Sequence, residues 1–89
     1  MSYCYETEKP FLFTDEGQRL FLKVRDRVNQ LIKEAGAFRQ QEGVRGFSGS
    51  SWQMIACIDR LVELGEIEEL PRQCWTQYKI YSDKKVHNY

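Results

Sequence analysis

The chain is short of the residue types that build metal and catalytic sites. Its 89 residues include one histidine, His87, and three cysteines, Cys4, Cys57 and Cys74, with no CxxC spacing. A structural zinc site needs about four nitrogen or sulfur ligands, and an odd number of distant cysteines does not make a disulfide framework. We therefore expect no metal, no cofactor and free thiols, as in a reducing, cytoplasmic setting.

The sequence also lacks net charge and long apolar runs. Lys and Arg total 13 and Asp and Glu total 13, so the formal charge is zero. This balance counts against strong non-specific binding to nucleic acid, although it is compatible with a local basic patch. No run approaches the ~20 apolar residues of a membrane span, and residues 1–10 lack a signal-peptide pattern. We expect a cytoplasmic protein without a membrane partner.

No side-chain arrangement typical of catalysis is present. The glycine-rich segment 43–51, GVRGFSGSS, lacks the Lys-Ser/Thr pair that completes a phosphate-binding P-loop. The adjacent carboxylates of Glu68 and Glu69 would point to opposite faces of a strand. Without a nucleophile–base or acid–base pair, we expect that the chain is not an enzyme.

A long amphipathic helix is predicted over residues 15–35. Thr14 is suited to cap its start, and Gly36 is suited to end it in the left-handed conformation. The apolar side chains fill one arc of the helical wheel; they are Leu20, Phe21, Val24, Val28, Leu31, Ile32 and Ala35. The flanking segments 1–13 and 82–89 are expected to be loosely ordered parts of a single domain spanning 1–89.

Two further helices and a β-hairpin are predicted after residue 36. A short second helix is expected at about 37–42. Ser50 and Gln53 have the S-x-x-Q spacing of a capping box, which indicates the start of a third helix that Gly65 ends. Two segments rich in strand formers then follow, one beginning at Ile67 and one over 75–81, joined by a turn at 71–73.

This order of helix, glycine and hairpin resembles the winged helix-turn-helix domain of small bacterial or phage DNA-binding regulators. The residues that carry the resemblance are Met54, Ile58, Leu61, Gly65 and Ile67, with Tyr78 and Ile80 in the hairpin. It implies an α+β fold with a long N-terminal helix, a short second helix and a third helix followed by a β-hairpin wing. It also implies a transcriptional regulator that binds double-stranded DNA, with the third helix in the major groove and the wing on the backbone.

Seven polar or basic residues become candidates for DNA contact through that resemblance. Small hydrogen-bonding groups at a helix start suit phosphates and base edges, and cations in the preceding turn and the wing suit phosphates. The set is Arg45, Ser50, Ser51, Gln53, Arg60, Arg72 and Lys79. Each of them is equally compatible with a solvated surface position.

The outward face of the third helix supports a second hypothesis, a protein–protein interaction module. This face carries Trp52, Ala56, Asp59 and Glu63, and two carboxylates are poor neighbours for DNA phosphates. Tryptophan is enriched among binding hot spots, although Trp52 is also compatible with packing onto the core. The aromatic side chains of the N-terminal segment 1–13, namely Tyr3, Tyr5 and Phe11, are likewise compatible with a homodimer interface or with covering the core.

A polar stripe on the first helix has two interpretations. The stripe contains Arg19, Lys23, Gln30 and Lys33, with Arg27 at its edge. Mixed charge on the outer side of an amphipathic helix is ordinary for a solvated face. The alternative is a supplementary surface that contacts phosphates.

Overall fold

The computed structural model describes residues 3–47, 50–70 and 79–83, and within them the fold is α+β. The helices are α1 (Tyr5–Glu8), α2 (Asp15–Ala35), α3 (Gln40–Val44) and α4 (Ser51–Glu63), with a 3-10 helix, Lys9–Phe13, between α1 and α2. The strands are β1 (Ala37–Arg39), β2 (Ile67–Glu69) and β3 (Ile80–Asp83). Within the described ranges, no helix is long and apolar enough to cross a membrane.

The long helix α2 confirms the prediction over residues 15–35. The hydroxyl of Thr14 accepts a hydrogen bond from the backbone N–H of Gly17 at 3.0 Å, so it satisfies one of the unpaired donors of the first turn. Gly36 ends the helix with a φ of 79°, a left-handed conformation that glycine adopts without a steric cost. Val24 and Val28, in the middle of the predicted arc, are fully buried.

The three strands form an antiparallel sheet in the order β1-β3-β2. The predicted pairing of the two last strands is present, since Ile67 lies opposite Asp83 and Glu69 opposite Tyr81. The predicted turn at 71–73 and the first part of the predicted last strand lie outside the described residues. Strand β3 continues to Asp83, two residues into the segment expected to be loose, and Ser82 is buried.

Residues 37–39 form strand β1, and the short second helix begins after them at Gln40. β1 pairs with β3, so that Phe38 lies opposite Tyr81 and their rings stack with centroids 5.3 Å apart. This cross-strand stack and the ladder hydrogen bonds stabilise an extended conformation in a segment for which we predicted a helix.

One hydrophobic core joins α2, α4, the 3-10 helix and the sheet. Its fully or almost fully buried members are Leu12, Val24, Val28, Phe38, Ala56, Cys57, Ile58, Leu61, Ile67 and Tyr81. Leu61 and Ile67, on which the resemblance depends, are 1% and 2% exposed. Burying such aliphatic side chains stabilises a fold by roughly 1.5–3 kcal/mol each. The inward face of α4 is therefore fixed by the core, and only its start and its outer face can contact other molecules.

Candidate nucleic-acid interface

An N-terminal strap, residues 3–13, covers the outer face of the second half of α4. The strap consists of α1 and the 3-10 helix, and both pack against α4. The hydroxyl of Tyr3 donates to the Asp59 carboxylate at 2.6 Å, and the hydroxyl of Tyr5 donates to Glu63 at 2.9 Å. Burial and these carboxylate partners raise the pKa of both phenols. The acidic residues of this helix face are thus engaged within the chain.

Glu63 is the most heavily contacted of these carboxylates. Its oxygens accept from the Lys9 ammonium at 2.8 Å and from the Arg60 guanidinium at 2.5 Å, in addition to Tyr5. The hydrogen bond from Lys9, followed by those from Arg60 and Tyr5, lowers the pKa of Glu63 to about 2. Arg60 also lies over the ring of Phe13, 5.4 Å from its centroid. Glu63 therefore stays ionised at neutral pH with two cations beside it.

The strap is fixed to the body of the fold at Leu12 and Gly17. Leu12 is 1% exposed and belongs to the core. The strap backbone crosses α2 at Gly17, where a Cβ atom would lie 1.9 Å from the carbonyl oxygen of Phe11. The amide of Gln18 donates to the Leu12 carbonyl at 2.6 Å beside this crossing. Only glycine at position 17 permits this approach of two backbones.

The start of α4, in contrast, is open. Ser50 is the N-cap residue and Ser51 follows it, and both are exposed. The capping box predicted for Ser50 and Gln53 is not formed, because the Ser50 side chain makes no cap hydrogen bond. The first intrahelical bond runs from the N–H of Met54 to the Ser50 carbonyl, so the preceding N–H groups of α4 have no partner within the helix. Free donors at a helix start favour an anionic ligand.

A groove of about 190 Å³ separates this helix start from α2. Its lining consists of Phe11, Glu16, Arg19, Leu20, Lys23, Ser50 and Gln53. Arg19 and Lys23 are four residues apart, which places them on the same face of α2. Both side chains are exposed, and the ion pairs among the described residues do not include them. The groove therefore contains two cations and one carboxylate beside backbone donors that have no partner within α4.

The structure separates the seven predicted DNA-contact residues into distinct groups. Ser50 and Gln53 share the groove, Ser51 is next to it, and Arg45 is exposed in the turn after α3. Arg60 is engaged with Glu63 and Phe13 under the strap. Lys79 lies beside β3 with its ammonium 4.0 Å from Glu69. The predicted wing-tip residue, Arg72, lies outside the described residues.

The four residues predicted for partner binding do not form one exposed surface. Ala56 is fully buried as a member of the hydrophobic core, which corrects its placement on the outer face of the helix. Asp59 and Glu63 are hydrogen-bonded to the strap. Trp52, in the first turn of α4, is half-buried. Among these four residues, Trp52 alone is partly exposed and makes no side-chain hydrogen bond or ion pair with another described residue.

Sequence reasoning did not place the α2 cations beside the third helix. Arg19 and Lys23 were recognised as part of a polar stripe, but the partner of that stripe could not be read from the helix alone. Gly17 was not singled out at all. A glycine in the first turn of an otherwise strong helix is the signal that could have found it, since glycine is a poor helix former and its presence there indicates a packing reason.

Comparison with protein-family models, with curated proteins and with solved structures gives no match for this chain. Within the described ranges there is no cluster of three or more His, Cys, Asp or Glu side chains able to hold a metal ion.

Proposed function

We propose that this chain is a small winged-helix DNA-binding protein that acts as a transcriptional regulator. α4 would enter the major groove with its N-terminal end leading, and the antiparallel pair β2 and β3 would lie against the DNA backbone. The order of elements supports this: a long helix, a short helix and a third helix precede two neighbouring antiparallel strands. Fold alone does not establish function, so the proposal depends on the surface that α4 offers.

The observation that carries the proposal is the contrast between the two ends of α4. At its start, Ser50 and Ser51 are exposed beside two cations that form no ion pair in the described region. Towards its end, the carboxylates that would repel DNA are held by strap residues. An α-helix nearly fills the width of the major groove, so a helix covered on one side can enter only with its uncovered end.

The proposal is tested by titrating duplex DNA at salt concentrations between about 50 and 200 mM. We expect affinity that falls steeply with salt, because phosphate contacts release counterions. Arg45→Gln should weaken binding about equally on all sequences, whereas Gln53→Ala should change sequence preference. A flat salt dependence, or no binding at low salt, would refute DNA binding.

The second candidate function, a protein-interaction module, now depends on Trp52. Because Ala56 is buried and Asp59 and Glu63 are hydrogen-bonded to the strap, this half-buried ring is left as the anchor for a partner. Under this hypothesis Trp52→Ala leaves the thermal midpoint nearly unchanged and abolishes partner capture. A large loss of stability would instead identify Trp52 as a packing residue. The open, cation-flanked start of α4 favours DNA over this alternative.

A further inference from the structure

We propose that the groove between α2 and the start of α4 holds one phosphate group of the DNA backbone, with Arg19 and Lys23 as its cations. This inference rests on the proposed DNA binding. It adds α2 to the interface, so that the long helix contacts nucleic acid directly as well as supporting α4.

The two sides of the groove contribute different kinds of phosphate donor. From α2, Arg19 supplies a guanidinium that can bind a phosphate through two parallel hydrogen bonds, and Lys23 supplies a mobile ammonium. From α4, the Ser50 hydroxyl makes no cap bond, and the amide of Gln53 lies at the same groove. A phosphate between the two helices would therefore meet donors from both.

The charge balance of the groove favours an anion. Arg19 and Lys23 outnumber the single carboxylate, Glu16, by one charge. The rest of the lining is the apolar pair Phe11 and Leu20 with the uncharged Ser50 and Gln53. Phe11 belongs to the strap, so the strap forms part of the groove wall while it covers the acidic end of α4.

The volume of the groove suits a phosphate group better than a larger ligand. At about 190 Å³ it is smaller than the roughly 300–1,000 Å³ typical of small-molecule sites. Its lining includes Ser50, the exposed N-cap residue of α4, which is at the end proposed to approach DNA. A phosphate bound there fixes the position of α4 on the duplex without reading its sequence.

The test uses the full chain and compares salt slopes of duplex binding for Arg19→Gln, Lys23→Gln and the double variant. The two cations share one phosphate, so losing both removes one phosphate contact. The double variant should therefore reduce the magnitude of the slope of log affinity against log salt by about 0.9, and not by the roughly 1.8 expected for two separate phosphate contacts. It should weaken binding about equally on all sequences. Lys33→Gln is the matched control for each single variant: it removes one positive charge from an exposed residue of the same helix, and it should leave the slope closer to that of the unaltered chain.

The outcomes separate this inference from the function on which it rests. If the unaltered chain shows no salt-dependent binding, the proposed function fails and the phosphate site fails with it. If the unaltered chain binds DNA but the double variant keeps its full slope, or Lys33→Gln lowers the slope as much, only the site is refuted. Thermal midpoints close to that of the unaltered chain confirm that these surface variants are folded.

A competition arm distinguishes a backbone phosphate from free phosphate. Inorganic phosphate should inhibit duplex binding no more than chloride at the same ionic strength, because an isolated phosphate lacks the neighbouring contacts of the duplex. Stronger inhibition that disappears in the double variant would assign the groove to free phosphate and overturn the proposal.

Discussion

Replacing Gly17 by alanine should displace the N-terminal strap. The added methyl group would lie 1.9 Å from the Phe11 carbonyl oxygen and 2.8 Å from the Cα of Leu12. Both contacts are with backbone, so no side-chain rotation can relieve them. In the interior of an ordinary helix, replacing glycine by alanine stabilises the fold by about 1 kcal/mol. Helix propensity alone would therefore predict a more stable protein, whereas the backbone contacts at Gly17 predict a less stable one.

The expected loss is larger than that gain. Lifting the strap removes Leu12 from the core, at about 1.5–3 kcal/mol for a buried leucine. Forced repacking of the surrounding contacts costs roughly a further 1–3 kcal/mol. After the helix-propensity gain is subtracted, we expect a net destabilisation of roughly 1.5–5 kcal/mol. At about 4–8 °C per kcal/mol for a domain of this size, the thermal midpoint should fall by at least about 6 °C. Calorimetry or a circular dichroism melt measures it.

Hydrogen exchange identifies the cause of the loss. In Gly17→Ala the amides of the strap, such as the Glu8 N–H that bonds the Cys4 carbonyl, should lose protection before those of α2. The control is Gly36→Ala, which has no atom within 4 Å of the added methyl group but a φ of 79°. It should cost roughly 1–2 kcal/mol through backbone strain and leave the strap protected. A Gly17→Ala protein as stable as the parent, with an unchanged strap, would refute the reasoning.

Two further predictions follow from the side chains around α4. Because the pKa of Glu63 is lowered from its ordinary 4.5 to about 2, its ionised form stabilises the fold fully above pH ~5, and this contribution is lost as the pH falls towards 2. The stability difference between the parent and Glu63→Gln, measured by urea unfolding, should therefore shrink from pH 6 to pH 3, and a constant difference would contradict the assigned contacts. The buried Cys57 thiol, whose pKa burial raises to about 12, should react slowly with a thiol reagent at pH 8, while the exposed Cys4 reacts fast. The measurement requires a Cys74→Ser background, and two fast thiols in the folded protein would show that α4 is less tightly packed than described.

The elements that could be predicted from sequence are those specified by local signals. α2 has strong periodicity, a capping threonine and a terminal glycine, and both of its ends were predicted correctly. The start of α4 at Ser50 was also correct, although the capping box that indicated it is absent there. On α3 only half of such a box is present: the Glu42 carboxylate accepts from the Arg39 N–H, whereas the Arg39 guanidinium has no acceptor to return the bond. Spacing alone therefore does not establish which side chains turn back to the backbone.

The elements that were missed depend on contacts between distant parts of the chain. β1 has three residues and is extended because it pairs with residues 80–82. The strap joins α4 through Tyr3 and Asp59, which are 56 residues apart. Neither pairing leaves a local pattern, so the acidic face of α4 looked free in the sequence although its carboxylates are engaged. The hypothesis that this face binds a protein partner arose because the contacts between the strap and α4 cannot be seen in the sequence.

The central position of β3 has a consequence for how the protein folds during synthesis. β1 and β2 do not pair with each other; each pairs with β3, the last described strand. A ribosome-bound nascent chain can form α2 and α4 early, since helices need only local contacts. The sheet, however, cannot assemble until residues 80–83 have left the ribosome, and until then the edges of two incomplete strands remain open to pairing with other chains.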